Sequence, residues 1–219
     1  MAVETEVING NEPAPRIIKR AARLITRGSI IVCPTDTGYA FAANALDPKA
    51  VVKVFNLKSR AYSNPMHVAV NSIEAATKYA HLNETAKYLA HRFLPGALTL
   101  VLPRKEIVPP ILVAGQDTIG IRVPDNKVIL DLAAASDLPI TATSANISGQ
   151  PTPYSAQEVI AQMGATIQNI ALVLDQGVLP VRELSTIVDL TVSPPRLLRQ
   201  GKISWLEIWQ ALQSLPGLG

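Results

Sequence analysis

Residues 16–37, RIIKRAARLITRGSIIVCPTDT, place an amphipathic helical pattern directly before an apolar strand. The apolar positions of the first half recur at intervals of three and four and fall on one helical face, which comprises Ile17, Ala21, Leu24 and Ile25. Gly28 ends this helix, and Ile30 to Val32 form a short apolar run typical of a buried strand. A helix followed by a buried strand indicates an α/β protein.

The same alternation continues along the chain. Asp47 is predicted to cap a helix that starts with Pro48, and Asn83 and Ser204 are predicted to cap two later helices. Further helices are expected near residues 72–79, 127–135 and 155–163, and further strands at 68–70, 98–102, 118–123, 140–143, 171–174, 186–190 and 196–199. We predict one α/β domain over residues 16–219, with residues 1–15 as a flexible N-terminal tail.

Composition excludes several classes of protein. The chain has 219 residues, of which 48% are hydrophobic and 17% charged, enough for a large buried core. No apolar run reaches the roughly 18 to 20 residues that a membrane span needs, so no membrane association is expected. Residues 1–15 lack the basic start and apolar centre of a signal peptide, which favours a cytoplasmic location. Cys33 is the only cysteine, which excludes an internal disulfide and a multi-cysteine metal site.

Common catalytic motifs are absent from the sequence. There is no G-x-G-x-x-G, no G-x-x-x-x-G-K-[ST], no H-E-x-x-H and no G-x-S-x-G. His67, His81 and His91 share no metal-ligand spacing, so we expect no protein-bound metal. The net charge of +3 fits an anionic ligand such as a nucleotide. A nucleotide would therefore be held without a P-loop.

Two clusters of polar residues could form such a site. Lys58 and Arg60 lie two residues apart where a helix ends, so both can reach one phosphate-rich ligand, although a solvated helix end is the commoner explanation of such a pair. Thr143, Ser144 and Asn146 follow an apolar strand and precede a turn at Gly149. By themselves these residues would equally suit a capped turn.

Further polar residues flank other predicted strands. Thr35 and Thr37 follow the first strand through a proline, and Thr118 and Arg122 flank a third strand. An arginine inside an apolar run usually meets a carboxylate or a phosphate. We therefore expect Arg122 to have an anionic partner.

Nine short strings together resemble one known family. In chain order they are residues 34–37 (PTDT), 44–47 (NALD), 57–60 (LKSR), 64–65 (NP), 95–99 (PGALT), 121–124 (IRVP), 144–149 (SANISG), 185–190 (STIVDL) and 197–201 (LLRQG). Their order and spacing resemble those of the threonylcarbamoyl-AMP synthases, the YrdC-like proteins of transfer-RNA modification. The likeness runs from about Ile17 to Ser204.

The resemblance implies a fold and a reaction. It implies a single twisted mixed-sheet α/β domain of the YrdC-like type with a positively lined concave face. It also implies a nucleotidyltransferase that makes L-threonylcarbamoyladenylate and pyrophosphate from L-threonine, bicarbonate or CO2, and ATP with Mg²⁺. A downstream transferase complex then moves the threonylcarbamoyl group to adenosine 37 of certain transfer RNAs. Such chemistry depends on alignment of the reactants and neutralisation of phosphate charge, which explains the absence of a catalytic triad.

The resemblance also assigns residues to roles. Lys58 and Arg60, the expected catalytic residues, would face the ATP phosphates. The remaining ATP-binding residues would be Asn64, Ser144, Asn146, Thr152 and Arg199, and the threonine-binding residues would be Thr37, Thr118, Arg122 and Ser185. Arg122 would pair with the substrate carboxylate through its planar guanidinium.

Two departures from the family pattern leave alternatives open. Residues 38–42, GYAFA, replace the usual V-Y-G-L-G and look more like the YciO branch, and Ala69 stands where many members carry a histidine beside the amino-acid pocket. One alternative is a YciO-like protein without catalysis that binds double-stranded or transfer RNA through its basic residues. Another is an adenylate-forming enzyme with a different acyl group, such as one that makes carbamoyl-AMP. Threonine remains the expected acceptor.

Overall fold

The computed structural model describes residues 3–215, in which helices and strands alternate as an α/β protein requires. The helices are α1 (Pro15–Thr26), α2 (Pro48–Leu57), α3 (Ile73–Ala76), α4 (Glu84–Phe93), α5 (Lys127–Ser136), α6 (Ala156–Met163) and α7 (Trp205–Gln213), with a 3-10 helix at Gly164–Asn169. The strands are β1 (Thr5–Val7), β2 (Ile31–Thr35), β3 (Gly38–Ala42), β4 (Val68–Ala69), β5 (Leu98–Pro103), β6 (Thr118–Arg122), β7 (Ile140–Thr141), β8 (Thr143–Ser144), β9 (Leu172–Asp175), β10 (Thr186–Asp189) and β11 (Arg196–Arg199).

The strands form two mixed sheets. The first sheet has the order β1-β9-β2-β3-β8, in which β1, β9 and β2 are parallel and β3 is antiparallel to its two neighbours. The second sheet has the order β11-β10-β5-β6-β4-β7, in which β10 is parallel to β5 and β4 is parallel to β6. The predicted strand over 140–143 is in fact two short strands, β7 in the second sheet and β8 in the first. The chain therefore crosses between the sheets at Ala142.

The hydrophobic core lies on both faces of the first sheet. On β2, Ile31 and Cys33 pack with α1 and α5, whereas Val32 between them packs with α2 and the second sheet. This alternation follows from the two-residue period of a strand. Cys33 has no exposed surface and belongs to this core.

Side-chain caps fix the starts of the helices. Asp47 Oδ1 accepts a hydrogen bond from Lys49 N at 2.9 Å, and Asn83 Oδ1 accepts one from Ala86 N at 2.8 Å. Ser204 and Glu207 form a complete capping box. The three predicted helix starts are thus confirmed. None of the helices within residues 3–215 has the length and apolar character needed to cross a membrane.

Three expectations about local structure need correction. Residues 5–7 of the expected tail form β1, which pairs with β9, and Ile8 beyond it is only 3% exposed. Residues 38–42, for which no strand was predicted, form β3, a buried hairpin partner of β2. The predicted helix over 72–79 is a single turn, Ile73–Ala76. In the first two cases the partner strand supplies the hydrogen bonds and the burial, and local sequence does not reveal it.

Candidate active site

A cavity of about 150 Å³ lies between the two sheets and opens to solvent. Ligand pockets in proteins commonly measure roughly 300 to 1,000 Å³, so a nucleotide would extend from this cavity toward solvent. From the first sheet it is lined by the turn between β2 and β3, by β3 and by β8. From the second sheet it is lined by the ends of β6 and β11 and by the segment that enters β4.

Three arginines from separate parts of the chain line this cavity. Arg60 comes from the loop after α2, Arg122 from the end of β6 and Arg199 from the end of β11. Hydroxyl groups of Thr35, Thr37, Thr143, Ser144, Thr152 and Ser185 lie among them, and the lining includes no carboxylate. Burial and the charge of Arg122 both lower the pKa of Arg199, so the positive charges are close enough to oppose one another. The cavity is therefore built to receive an anion.

Arg122 has a carboxylate partner inside the protein. Its Nη2 donates to Asp36 Oδ1 at 2.9 Å, and its Nη1 donates to Thr37 Oγ1 at 3.2 Å. Asp36 Oδ2 and Arg122 Nε are buried without a hydrogen-bond partner in residues 3–215. The ion pair therefore makes one of the two parallel hydrogen bonds that an arginine and a carboxylate can form. The expectation that Arg122 meets an anion is confirmed. Its guanidinium also faces the cavity and can still engage a ligand.

Arg199 and Arg60 are held by oxygen atoms of nearby backbone. Arg199 donates to Ser185 O from Nε at 3.1 Å and from Nη2 at 2.8 Å, and Ser185 Oγ lies 2.8 Å from Thr99 Oγ1. Arg60 donates from Nε to Asn64 O at 3.0 Å and from Nη2 to Pro65 O at 2.7 Å. Neither arginine has a carboxylate partner in the described chain, and burial lowers the pKa of Arg60. Both charges therefore remain available to a ligand.

Lys58 lies beside the cavity but not on its surface. Its Nζ donates to Ser144 O, and to both the backbone oxygen and Oδ1 of Asn146 at 2.9 Å. Ser144 Oγ in turn donates to Asn146 Oδ1 at 2.6 Å. Burial, together with the nearby charge of Arg60, lowers the pKa of Lys58 to about 7. The three acceptor oxygens favour the ammonium form, so Lys58 fastens the loop after β8 to the end of α2.

Gly38 allows a close approach between β3 and residues 152–153. Its φ is +125°, and a Cβ atom there would lie 2.6 Å from Thr152 Cγ2 and 3.0 Å from Pro153 O. Of the two alanines that replace family glycines, Ala40 lines the cavity and Ala42 packs in the core beside α1 and α5. Gly38 stands at the valine position of the family pattern, and its positive φ and close neighbours require a glycine there.

The cavity brings together most of the site residues that the sequence suggested. Thr37, Arg60, Arg122, Ser144, Thr152, Ser185 and Arg199 all line it, and Lys58 and Asn146 lie directly behind. Asn64 is exposed, and the hydrogen bonds found for it involve its backbone: its N donates to Ala61 O and its O accepts from Arg60 Nε. Thr118 is not among the lining residues: it starts β6, pairs with Pro103 and contacts Gln116, whereas Arg122 ends that strand. Four residues of extended chain place the backbones of Thr118 and Arg122 roughly 13 Å apart.

His67 is a cavity residue for which we made no site prediction. Its ring lies against Gly120 on the neighbouring strand, as a Cβ atom at Gly120 would be 2.4 Å from His67 Cδ2. A usable signal is present in the sequence, because His67 precedes Ala69 by two residues and strand alternation places both on one face. Within the part of the chain that the structure covers, no group of three His, Cys, Asp or Glu side chains is arranged to hold a metal ion.

Comparisons with known proteins give a consistent result. The Sua5–YciO–YrdC family model, described as "Telomere recombination", matches residues 23–201. A threonylcarbamoyl-AMP synthase of Pyrococcus abyssi is 42% identical over 192 residues, which are 87% of this chain and 56% of that protein. A putative threonylcarbamoyl-AMP synthase of Methanocaldococcus jannaschii is 36% identical, covering 88% of this chain and 89% of that protein. The crystal structure of Pyrococcus abyssi Sua5 complexed with L-threonine superposes with a TM-score of 0.88 at 37% identity, covering 97% of this chain and 61% of that chain. The chain thus spans less than two thirds of the Pyrococcus abyssi protein.

Proposed function

The chain belongs to the Sua5/YciO/YrdC family, and from this premise we propose that it is a threonylcarbamoyl-AMP synthase. The proposed reaction joins L-threonine, bicarbonate or CO2, and ATP into L-threonylcarbamoyladenylate and releases pyrophosphate. The product would serve a downstream transferase complex that modifies transfer RNA in the cytoplasm. The observation that carries the proposal is the convergence of Arg60, Arg122 and Arg199 on one cavity without a lining carboxylate.

Arg122 is the proposed ligand of the threonine carboxylate. A guanidinium can bind a carboxylate through two parallel hydrogen bonds, which fixes the orientation of the amino acid. Thr37 and Ser185 line the same cavity and offer hydroxyl groups for the polar atoms of threonine. The relative whose structure was solved with L-threonine covers nearly all of this chain, which supports an amino-acid site here.

Arg60 and Arg199 are the proposed ligands of the ATP phosphates. Phosphoryl and nucleotidyl transfer need compensation of negative charge and alignment of the two reactants, and both come from fixed groups of the site. Ser144 and Thr152 line the cavity and would complete the nucleotide pocket. Asn146, buried behind Ser144, would hold it in place through their 2.6 Å hydrogen bond.

Lys58 is proposed as a positioning residue for this pocket. Its ammonium is engaged by oxygens of Ser144 and Asn146, so it acts on the nucleotide through the loop that these residues form. The charge also adds to the positive potential of the cavity.

Magnesium is proposed to enter as a chelate of the ATP phosphates. The lining offers hydroxyl oxygens, which suit Mg²⁺, but no carboxylate for a site of its own. The ion would neutralise phosphate charge and so ease the departure of pyrophosphate.

The test is pyrophosphate release from ATP and Mg²⁺ with and without L-threonine and bicarbonate, combined with mass spectrometry of the product. We expect release that requires both co-substrates and a product with the mass of threonylcarbamoyl-AMP. Release without threonine, with a carbamoyl-AMP product, would contradict the proposed acceptor. No release together with salt-sensitive RNA binding would replace the enzyme with the RNA-binding alternative.

A further inference from the structure

His67 is placed against a neighbour that has no side chain. Its ring atoms Cδ2, Cγ and Nε2 would lie 2.4, 3.0 and 3.1 Å from a Cβ atom at Gly120. His67 and Gly120 flank the paired residues Val68 and Ile121 of β4 and β6, so the two strands hold the ring and the glycine side by side. A larger residue at position 120 would push the ring away. Glycine at this position therefore allows the ring to lie at the cavity wall.

The imidazole of His67 is free to meet a ligand. In the hydrogen bonds found among residues 3–215, His67 takes part through its backbone oxygen, which accepts from Ala142 N. Burial, together with the charges of Arg199, Arg122 and Arg60, lowers the pKa of His67 to about 3. These three arginines, from β11, β6 and the loop after α2, are the charged groups that face the ring. The ring is therefore neutral at neutral pH and carries one unprotonated nitrogen.

His67 is also the proton acceptor that the lining provides. Its other titratable members are the three arginines and Tyr39, whose hydroxyl is engaged by Asp175 and Gly177. Arginine stays protonated at every pH of interest. A reaction in this cavity that releases a proton from its substrate thus has one side chain to receive it.

The proposed function includes such a release. Threonine enters as an ammonium ion, R–NH3⁺, whose nitrogen has no lone pair for bond formation. One proton passes to bicarbonate, which gives CO2 and water; the nitrogen lone pair then forms the N–C bond to CO2, and a second proton leaves the nitrogen. The products are the carbamate R–NH–COO⁻, water and one proton, so atoms and charge balance.

Resting on the proposed function, we propose that His67 accepts this proton from the amino nitrogen of the substrate. The unprotonated ring nitrogen takes the proton as the carbamate forms and returns it to water after the product leaves. Nucleotide binding favours this step. The phosphates offset the positive charges of Arg60 and Arg199, and these charges otherwise oppose protonation of the His67 ring. Carbamate formation would then be linked to the presence of ATP.

The test compares the full-length parent, His67→Gln and the control His91→Gln, which alters an exposed histidine of α4. Pyrophosphate release is measured against pH with L-threonine, bicarbonate, ATP and Mg²⁺. We expect kcat of His67→Gln to fall about 100-fold, with KM for ATP close to the parent's and without the acidic limb of the parent's pH profile. His91→Gln should match the parent.

A second measurement uses the parent protein alone, so its outcome does not depend on whether a variant folds. The ring pKa of His67, read from the parent labelled with ¹⁵N-histidine, should rise when a non-hydrolysable ATP analogue binds. An unchanged ring pKa would overturn the link to nucleotide binding. If the parent is active and His67→Gln has the same kcat, or differs from the parent only by a higher KM, the role of His67 is overturned and the proposed function stays intact. A parent that releases no pyrophosphate would overturn the proposed function itself.

Discussion

Nη2 of Arg122 lies 2.9 Å from Oδ1 of Asp36, and the two side chains are only 7% and 3% exposed. Asp36 lies in the turn between β2 and β3 of the first sheet, and Arg122 ends β6 of the second sheet. The pair therefore ties the two sheets together at the cavity. It also holds one arm of the guanidinium, whose Nη1 donates to Thr37, and Arg122 lines the cavity where a ligand would lie.

Arg122→Ala should abolish threonine-dependent pyrophosphate release, because the proposed carboxylate ligand is lost. Nucleotide affinity should stay within a few-fold of the parent, since Arg60 and Arg199 remain. Isothermal titration with each substrate, together with the release assay, checks both statements. Arg23→Ala, which alters an exposed arginine of α1, is the control. Lost ATP binding with retained threonine binding would mean that the two half-sites are exchanged.

Asp36→Ala should destabilise the fold as well as weaken threonine binding. Removing one member of a buried ion pair typically costs about 3 to 5 kcal/mol, because the other charge is left without compensation. We expect a loss at the low end of this range, since Arg122 also borders the open cavity. Chemical denaturation measures the free energy of unfolding, and Asp125→Ala, at an exposed aspartate, serves as control. An unchanged unfolding midpoint would refute a structural role for the pair.

Lys58→Met should weaken ATP binding at least tenfold, a loss of about 1.4 kcal/mol. The methionine fills similar space but leaves Ser144 O and Asn146 O without their donor, so the loop after β8 is no longer fastened. Lys53→Met, on the helix that Lys58 follows, removes a single hydrogen bond to Gly28 O and is the matched control. Titration with an ATP analogue gives both affinities. Equal affinities in the two variants would exclude the proposed positioning role.

Gly38→Ala should destabilise the protein more than Gly149→Ala. Both glycines have positive φ, +125° and +87°, so both variants carry backbone strain, of about 1 kcal/mol or more. Only at Gly38 would the added Cβ also meet Thr152 and Pro153, since nothing lies within 4 Å of a Cβ at Gly149. Thermal unfolding of the two variants separates steric contact from backbone strain. A larger loss in Gly149→Ala would contradict the close approach at β3.

The stability of the parent should fall with decreasing pH partly because of His67. Its folded pKa of about 3 lies below the ordinary value of 6.5, so the unfolded chain binds more protons between these two values. The part of the unfolding free energy that depends on a neutral His67 is fully present above pH 6.5 and is lost as the pH falls toward 3. His67→Gln should therefore lose less stability than the parent between pH 6.5 and 5, whereas His91→Gln should follow the parent. Denaturant unfolding at several pH values measures the difference.

Local sequence was a good guide to the helices and to most strands. The caps at Asp47, Asn83 and Ser204 depend on hydrogen bonds within four residues, and these bonds form as predicted. Strands such as β3 and β1 were missed because their hydrogen bonds and burial come from strands elsewhere in the chain. The helix predicted after Ser72 ends at Ala76, and the chain then turns toward the bridge between Ala80 and Arg104.

The sequence by itself determined the family, the α/β class and the polar strings at the strand ends, since these depend on residue order and on periods of two and 3.6 residues. Only the tertiary structure decided which of these groups meet. It joined Arg60, Arg122 and Arg199 in one cavity, left Thr118 at the far end of β6, and placed His67 beside Gly120. The physical reason is that strand order and register set the distances between residues far apart in the chain, and neither follows from local spacing.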